Sequence, residues 1–280
     1  MTIKKIVLIL LCIAMSGILL TVFSLAELGL FTGLKSTKGP FNFDSYVLEN
    51  TQGTKAYSDS VSGAISGIKN ISIISASTPI HIVRTDSHTL SAELKGSYKA
   101  SGSYTPPTID LIEDNDQLTI DIVYPKITFM LSLIENIELT VYLPKDYAHA
   151  LQVTSSSGDV ALQSFELSKL NIATTSGSQV IEDIKGTATL EATSGNISVE
   201  QSAVSKSIQI EATSGDVHFT SIADSHYNLD LACTSGTIDV GMPIITTHGA
   251  NKSDTLLAQV GDGGVKLKIR TTSGDIDIQE

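Results

Sequence analysis

A Ser-Gly step, followed by a small polar residue and then an aliphatic one, keeps returning in the second half of this 280-residue chain. It reads Ser157-Gly158-Asp159-Val160, Ser194-Gly195-Asn196-Ile197, Ser214-Gly215-Asp216-Val217, Ser235-Gly236-Thr237-Ile238 and Ser273-Gly274-Asp275-Ile276. Ser176-Gly177-Ser178-Gln179-Val180 is the same step with one extra residue, which reads as a β-bulge. Successive glycines lie 19, 18, 20, 21 and 38 residues apart, the last being two periods with one turn enlarged between Thr246 and Leu256. A period of this size is too short for most helical repeats.

Within each repeat the apolar residues alternate. Leu151 and Val153, Leu170 and Ile172, Ile208 and Ile210, Leu229 and Leu231, Leu267 and Ile269 precede the glycines; Val160, Ile197, Val217, Ile238 and Ile276 follow them. Each repeat is therefore strand, corner, strand, with one buried face. One unit cannot bury that face alone, whereas stacked copies can. The expected fold is all-β: a single-stranded parallel β-helix, or β-solenoid, with repeats of about 19 residues. A β-sandwich or propeller built from the same units is the alternative. The glycine is expected to permit a turn that a Cβ would obstruct, and the Thr-Ser before it to satisfy corner backbone groups through a hydroxyl ladder.

Residues 61–150 read as diverged turns of the same stack, and 151–280 as the regular ones. Ser62-Gly63-Ala64-Ile65 and Ser77-Thr78-Pro79-Ile80 resemble worn corners, and Glu113-Asp114-Asn115-Asp116 sits between alternating runs as a hairpin loop would. Residues 27–60, with Gly39-Pro40 and Gly53 and no sustained periodicity, read as a juxtamembrane spacer. Before them, Lys4 and Lys5 precede an apolar run from Ile6 to Ala26. Such a run reaches about 31 Å as a helix, enough to cross the hydrocarbon. Residues 1–26 are thus expected to be a signal-anchor transmembrane helix, with everything after them exported; a cleaved signal peptide and secretion is the alternative.

Charge and composition exclude other classes. The formal charge is −12, and only Arg84 and Arg270 are arginines, so the clustered cations that nucleic acid requires are missing. Aromatic residues make up 5% and Trp is absent, which suits stacking platforms and aromatic sugar clefts poorly. Cys12 falls in the apolar run, leaving Cys233 as the single thiol of the exported part.

The alternating strand ending in Leu143-Pro144, the repeated step, and the closing Thr272-Ser273-Gly274-Asp275-Ile276 together resemble a large bacterial adhesin-type family of exported β-strand-repeat domains of unknown function. The resemblance covers roughly residues 61–280. It implies an N-terminal membrane segment and an exported β-helical domain, in some members associated with cell-envelope stress systems, and it brings no catalytic motif.

The residues available for chemistry have plainer readings. Equivalent corner serines read as structure, because a nucleophile needs one activated copy beside a base. Asp159, Asp216 and Asp275 read as a solvated stripe, interrupted by Ser178, Asn196 and Thr237, rather than a cation site. Gly261-Asp262-Gly263-Gly264 lacks a following Lys-Ser/Thr and reads as a hairpin turn. His81, His88, His149, His218, His226 and His248 show no metal-ligand spacing, and Cys233 sits at an inward position. The run Ile127–Ile134, with Phe129, Met130 and Leu131, reads as a buried strand or covering loop, or else as an exposed lip for membrane or partner.

No catalytic, cofactor-binding or metal-ligating residue is expected. The expected function is a membrane-anchored, non-enzymatic extracytoplasmic scaffold, adhesin-like, whose partners are the membrane and an envelope protein or surface polymer. A regulatory partner of an envelope stress sensor and a polysaccharide-active β-helix enzyme are the alternatives. Asp275, Asp277 and Glu280, on the last strand, are expected to discourage endless stacking at an open end.

Overall fold

The computed structural model describes residues 54–101, 104–125, 132–201, 206–221, 226–249 and 254–280. The apolar run at 1–26, the spacer up to residue 53 and residues 127–131 of the 127–134 run, with Phe129, Met130 and Leu131, lie outside the described residues.

Nineteen strands make up the described fold, with no helix among them. The first seven are β1 (Lys55–Ala64), β2 (Asn70–Ser75), β3 (Ile80–Thr85), β4 (Thr89–Ser101), β5 (Thr108–Asp114), β6 (Gln117–Val123) and β7 (Ser132–Pro144). The middle contains β8 (Ala150–Ser155), β9 (Val160–Thr174), β10 (Gln179–Ala192), β11 (Ile197–Gln201), β12 (Ser207–Ser214) and β13 (Val217–Ser221). The chain closes with β14 (Tyr227–Ser235), β15 (Ile238–Val240), β16 (Ile245–Gly249), β17 (Thr255–Val260), β18 (Val265–Ser273) and β19 (Ile276–Gln279). The first strand begins at Lys55, ahead of residue 61, where the repeat pattern places the start of the domain.

Hydrogen bonding sorts the strands into two ladders joined by the corners. One runs β5-β6-β2-β8-β9-β10-β12-β18-β14-β17-β16. The other runs β1-β4-β7-β3-β9-β10-β11-β13-β19-β15. Strands β9 and β10 bend and contribute to both. Inward side chains from the two ladders, such as Ile73, Val153, Leu190, Ile210, Ile269, Leu162, Val199, Phe219 and Ile278, form one continuous core. Each contributes roughly 1.5–3 kcal/mol of burial.

The single-stranded parallel helix needs correction in two respects. The sheet is mixed: β1–β4, β4–β7 and β5–β6 at one end, and β14–β17 and β16–β17 at the other, are antiparallel. The rungs are also not stacked in chain order. The β18–β19 rung lies between β12–β13 and β14–β15, so the last strand is interior, and Asp275 and Asp277 guard no open end. The enlarged turn after Gly236 is instead a short excursion, β16 and β17, which pairs on the outer side of β14 before the chain crosses back.

The expected bulge after Gly177 is absent. Gln179 stands level with Val160 and with Ile197 in a slot that is otherwise aliphatic, fully buried. Its Nε2 donates to Thr174 Oγ1 (3.0 Å) and to the Glu191 carbonyl (2.7 Å). Gln201 is likewise buried, its amide accepting from the Ile184 N–H and donating to the Ile184 carbonyl, as a strand neighbour would. Replacing Gln201 with Ala strands both backbone groups in the core; an expected loss of about 3 kcal/mol is readable as a shift of the urea midpoint.

Two tyrosines carry opposite pH signatures. The Tyr124 hydroxyl fills the worn corner, accepting from the N–H of Ser77 (3.1 Å) and Thr78 (2.9 Å) and bonding Thr78 Oγ1 (2.7 Å) and Ser75 Oγ (3.1 Å). Burial pushes this phenol up, but the bonds from Ser75, Thr78 and Ser77 outweigh it and hold it below its ordinary value. Burial pushes the Tyr147 phenol, which donates to the Ala150 carbonyl, well above that value. The unfolded chain therefore loses the Tyr147 proton first, and stability falls as pH rises past about 10. Tyr124 ionises first in the folded chain and adds stability over the same rise. Tyr147→Phe is expected to flatten the alkaline loss and Tyr124→Phe to steepen it, as urea unfolding between about pH 8 and 11 will show.

Candidate functional site

The corners stack with little room. A Cβ built on Gly177, Gly195, Gly215 or Gly274 would lie 2.0–2.2 Å from the carbonyl oxygen of the next rung's glycine. The glycines run 158, 177, 195, 215, 274, 236 along the stack, in spatial rather than chain order. Close approach, rather than a special turn conformation, is what requires glycine here.

The corner acids are working parts of this column. Asp159 Oδ1 accepts the Ser178 N–H, Asn196 Oδ1 that of Asp216, Asp216 Oδ1 that of Asp275, and Asp275 Oδ1 that of Thr237, at 2.7–2.9 Å. Each side chain thus ties its rung to the next. The hydroxyl ladder expected from Thr-Ser is not what satisfies the backbone. Buried Ser155 and Thr271 close their own corners onto the carbonyls of Gly158 and Gly274. The exposed column Ser156, Thr175, Thr193, Thr213 and Thr272 remains turned to solvent.

Beside that column lies a trough of about 440 Å³ across β8, β9, β10, β12 and β18. It is lined by the row Thr154, Ala173, Glu191, Glu211 and Arg270, by the exposed hydroxyl column, and by the residues between them, Ser155, Thr174, Ala192, Ala212 and Thr271. A second hollow of about 330 Å³ shares Thr154, Ala173 and Glu191 and adds Gln152, Lys169, Asn171 and Thr189. Glu191 and Glu211 are direct neighbours across β10 and β12, and Arg270 follows Glu211 in the same row. Arg270 is tied to Asp230 by a short ion pair, and Lys268 approaches Glu211 at 3.8 Å. The place of Arg270 in the row is illegible from the sequence, because Glu211 meets Arg270 only through the out-of-order rung.

The remaining candidates are placed as follows. His218 Nδ1 lies 3.0 Å from Asp277 Oδ2, and its Nε2 3.1 Å from Thr220 Oγ1. The three resemble a nucleophile, base and orienting acid, but they lie exposed on the outer face of the second ladder rather than in a cleft. His81 faces Glu138 and His88 faces Asp146, both at 3.7 Å, and His226 Nδ1 accepts the Asp262 N–H. No cluster of metal-ligating residues forms among the described residues. Cys233 is buried, and burial pushes its thiol up, so it is a packing residue. Gly261–Gly264 does turn, with positive φ at Gly261 and Gly263, but it is no hairpin: it carries the chain over β14, from β17 on one side to β18 on the other. Residues 132–134 belong to β7, paired with the end of β4.

The sequence model for Toastrack DUF4097 matches residues 68–167 and again 148–279. The chain belongs to this family. Among solved structures, the Toastrack domain is similar to a putative cell adhesion protein from Clostridium sporogenes ATCC 15579, at 11% identity and a TM-score of 0.49, covering 80% of this chain and 99% of that one. It is also similar to a putative adhesin from Bacteroides fragilis NCTC 9343, at 10% identity and a TM-score of 0.34, covering 79% and 97%. No curated protein matches the chain.

Proposed function

We propose that this Toastrack chain is a membrane-anchored, extracytoplasmic, non-enzymatic binding module of adhesin type, and that the trough receives an extended polar polymer. The observation that carries the reading is the trough itself: it crosses five parallel strands and offers a similar set of groups at each rung. A linear ligand with its own repeat meets such an array one unit at a time. The groups on offer are hydroxyls, Thr175, Thr193 and Thr213 among them, with the Glu191 and Glu211 carboxylates and Lys169 at the margin. They select a ligand held by hydrogen bonds rather than by ring stacking.

The test uses the full chain in detergent and a panel of immobilised cell-surface polysaccharides. Thr175→Val, Thr193→Val and Thr213→Val combined keep shape and strand preference but remove the hydroxyls. Retention on at least one polymer that falls with the triple variant supports the reading; no retention, or retention the variant leaves unchanged, overturns it. Anchoring rests on the Ile6–Ala26 run. Carbonate extraction and protease treatment of intact cells test it, and a fully extractable or fully protected chain rejects it.

One observation favours a second reading, polysaccharide cleavage. Glu191 and Glu211 are register neighbours that both line the groove, and glycosidases work with a pair of carboxyl groups. Turnover of any polymer that Glu191→Gln abolishes would replace the binding module by an enzyme.

A further inference from the structure

Beside the trough, the order of the rungs gathers cations that the sequence scatters. Two further rows of outward side chains cross β8, β9, β10, β12 and β18 below the row that holds Glu191 and Glu211. The nearer reads Gln152, Asn171, Thr189, Gln209 and Lys268. The farther reads Ala150, Lys169, Thr187, Ser207 and Lys266. Neither contains an acid, on a chain whose formal charge is −12. Lys169 and Lys266 are exposed and make no ion pair among the described residues. Lys206, also exposed, directly precedes Ser207. Two of the bordering acids are already engaged. Glu211 accepts from Gln209 Nε2 at 2.8 Å and faces Lys268, and Asp230 is tied to Arg270. The second hollow opens onto these rows at Lys169, Asn171, Gln152 and Thr189.

We infer that the polymer bound here is an acidic polysaccharide, with its carboxylates on the two lysine rows and its hydroxyls on the trough. The inference rests on the trough reading and adds the charge of the ligand. A carboxylate only accepts hydrogen bonds, and these rows offer donors: ammonium groups, the Gln152 and Asn171 amides, and hydroxyls. Sugar hydroxyls donate, and Glu191 in the adjoining row accepts. Lys169 and Lys266 stand three rungs apart, about 14 Å at the ordinary strand spacing. A single small anion cannot meet both, whereas a chain with one charge per sugar can. Exposed charges act over about 8 Å at physiological salt, so these lysines outweigh the more distant acids of the chain. The rows hold no aromatic side chain to stack a base and no large apolar one to enter a bilayer, which favours a polysaccharide over nucleic acid or lipid.

The test uses the full chain in detergent with immobilised polygalacturonate and alginate, each beside its methyl ester, which keeps the hydroxyls and removes the charge. At least one acidic form is expected to be retained and its ester not, with retention falling as salt rises. Lys169→Gln combined with Lys266→Gln should weaken binding about tenfold. Lys55→Gln combined with Lys95→Gln removes the same charge from β1 and β4 and should leave binding unchanged. No retention of either acid, equal retention of the esters, a β1/β4 variant that falls as far, or an oligo(dT) that competes as well would each overturn the inference. A neutral polymer retained, and lost with the triple threonine variant, while both acids are refused would leave the trough reading standing and remove only its charge.

Discussion

A chain ending after Gly264 is expected to lose its C-terminal third as a folded unit, not merely two strands. β18 and β19 lie between the rung that precedes them in space and the one that follows, so each of β12, β13, β14 and β15 loses a hydrogen-bonded partner. Leu267, Ile269, Ile276 and Ile278, all buried, leave the core with them. At roughly 2 kcal/mol each this is about 8 kcal/mol, comparable to the whole stability of an ordinary domain. Limited proteolysis should therefore digest the truncated chain from about residue 206 onward and leave the earlier rungs protected. A truncated chain that resists protease to its end would show that β14–β15 can slide onto β12–β13, and would make the interior rung dispensable.

The second large effect is expected at Gly195. A side-chain carbon there would sit 2.0 Å from the Gly177 oxygen, with backbone and no flexible side chain as the obstacle. The rungs are fixed at this spacing by main-chain bonds, such as Ser194 N–H to the Thr175 carbonyl at 2.8 Å and Gln179 N–H to the Asn196 carbonyl at 2.9 Å. Gly195→Ala must therefore push two corners apart along the stack. A loss of at least about 3 kcal/mol is expected, the upper end of what overpacking costs. Ser194→Ala, on the exposed neighbour, should stay within about 0.5 kcal/mol. Urea unfolding of the two decides the matter; a Gly195→Ala loss below about 1 kcal/mol would mean that close stacking is not what selects glycine.

What the sequence reveals and what it conceals follow from the same alternation. Period two marks which residues turn inward, and Leu151, Val153, Ile208, Ile210, Leu267 and Ile269 do so. It cannot say which rung lies beside which, because one aliphatic face fits another almost as well. The 38-residue interval between Gly236 and Gly274 is compatible with sequential stacking, whereas β17 takes the outer side of β14 and β18–β19 pair on its inner side. Gln179 misleads for a related reason: a polar residue in an aliphatic slot reads as a shift of register, whereas the Thr174 hydroxyl and the Glu191 carbonyl make burial tolerable. The corner hydroxyls of the trough are legible as part of the repeat. Its charged row is legible only in part: Glu191 and Glu211 hold the same place in successive repeats, but Arg270 becomes the neighbour of Glu211 only through the order of the rungs.

The interior position of the last rung also bears on how the protein is made. β18 and β19 follow in the chain the two rungs that they separate in space, so β13 and β15 have no shared partner until β19 arrives. A growing chain must hold its β14–β15 rung unattached until residues 265–279 have been made, then admit them beside it. A product that stops short of residue 265 is left with an open sheet that proteases can recognise.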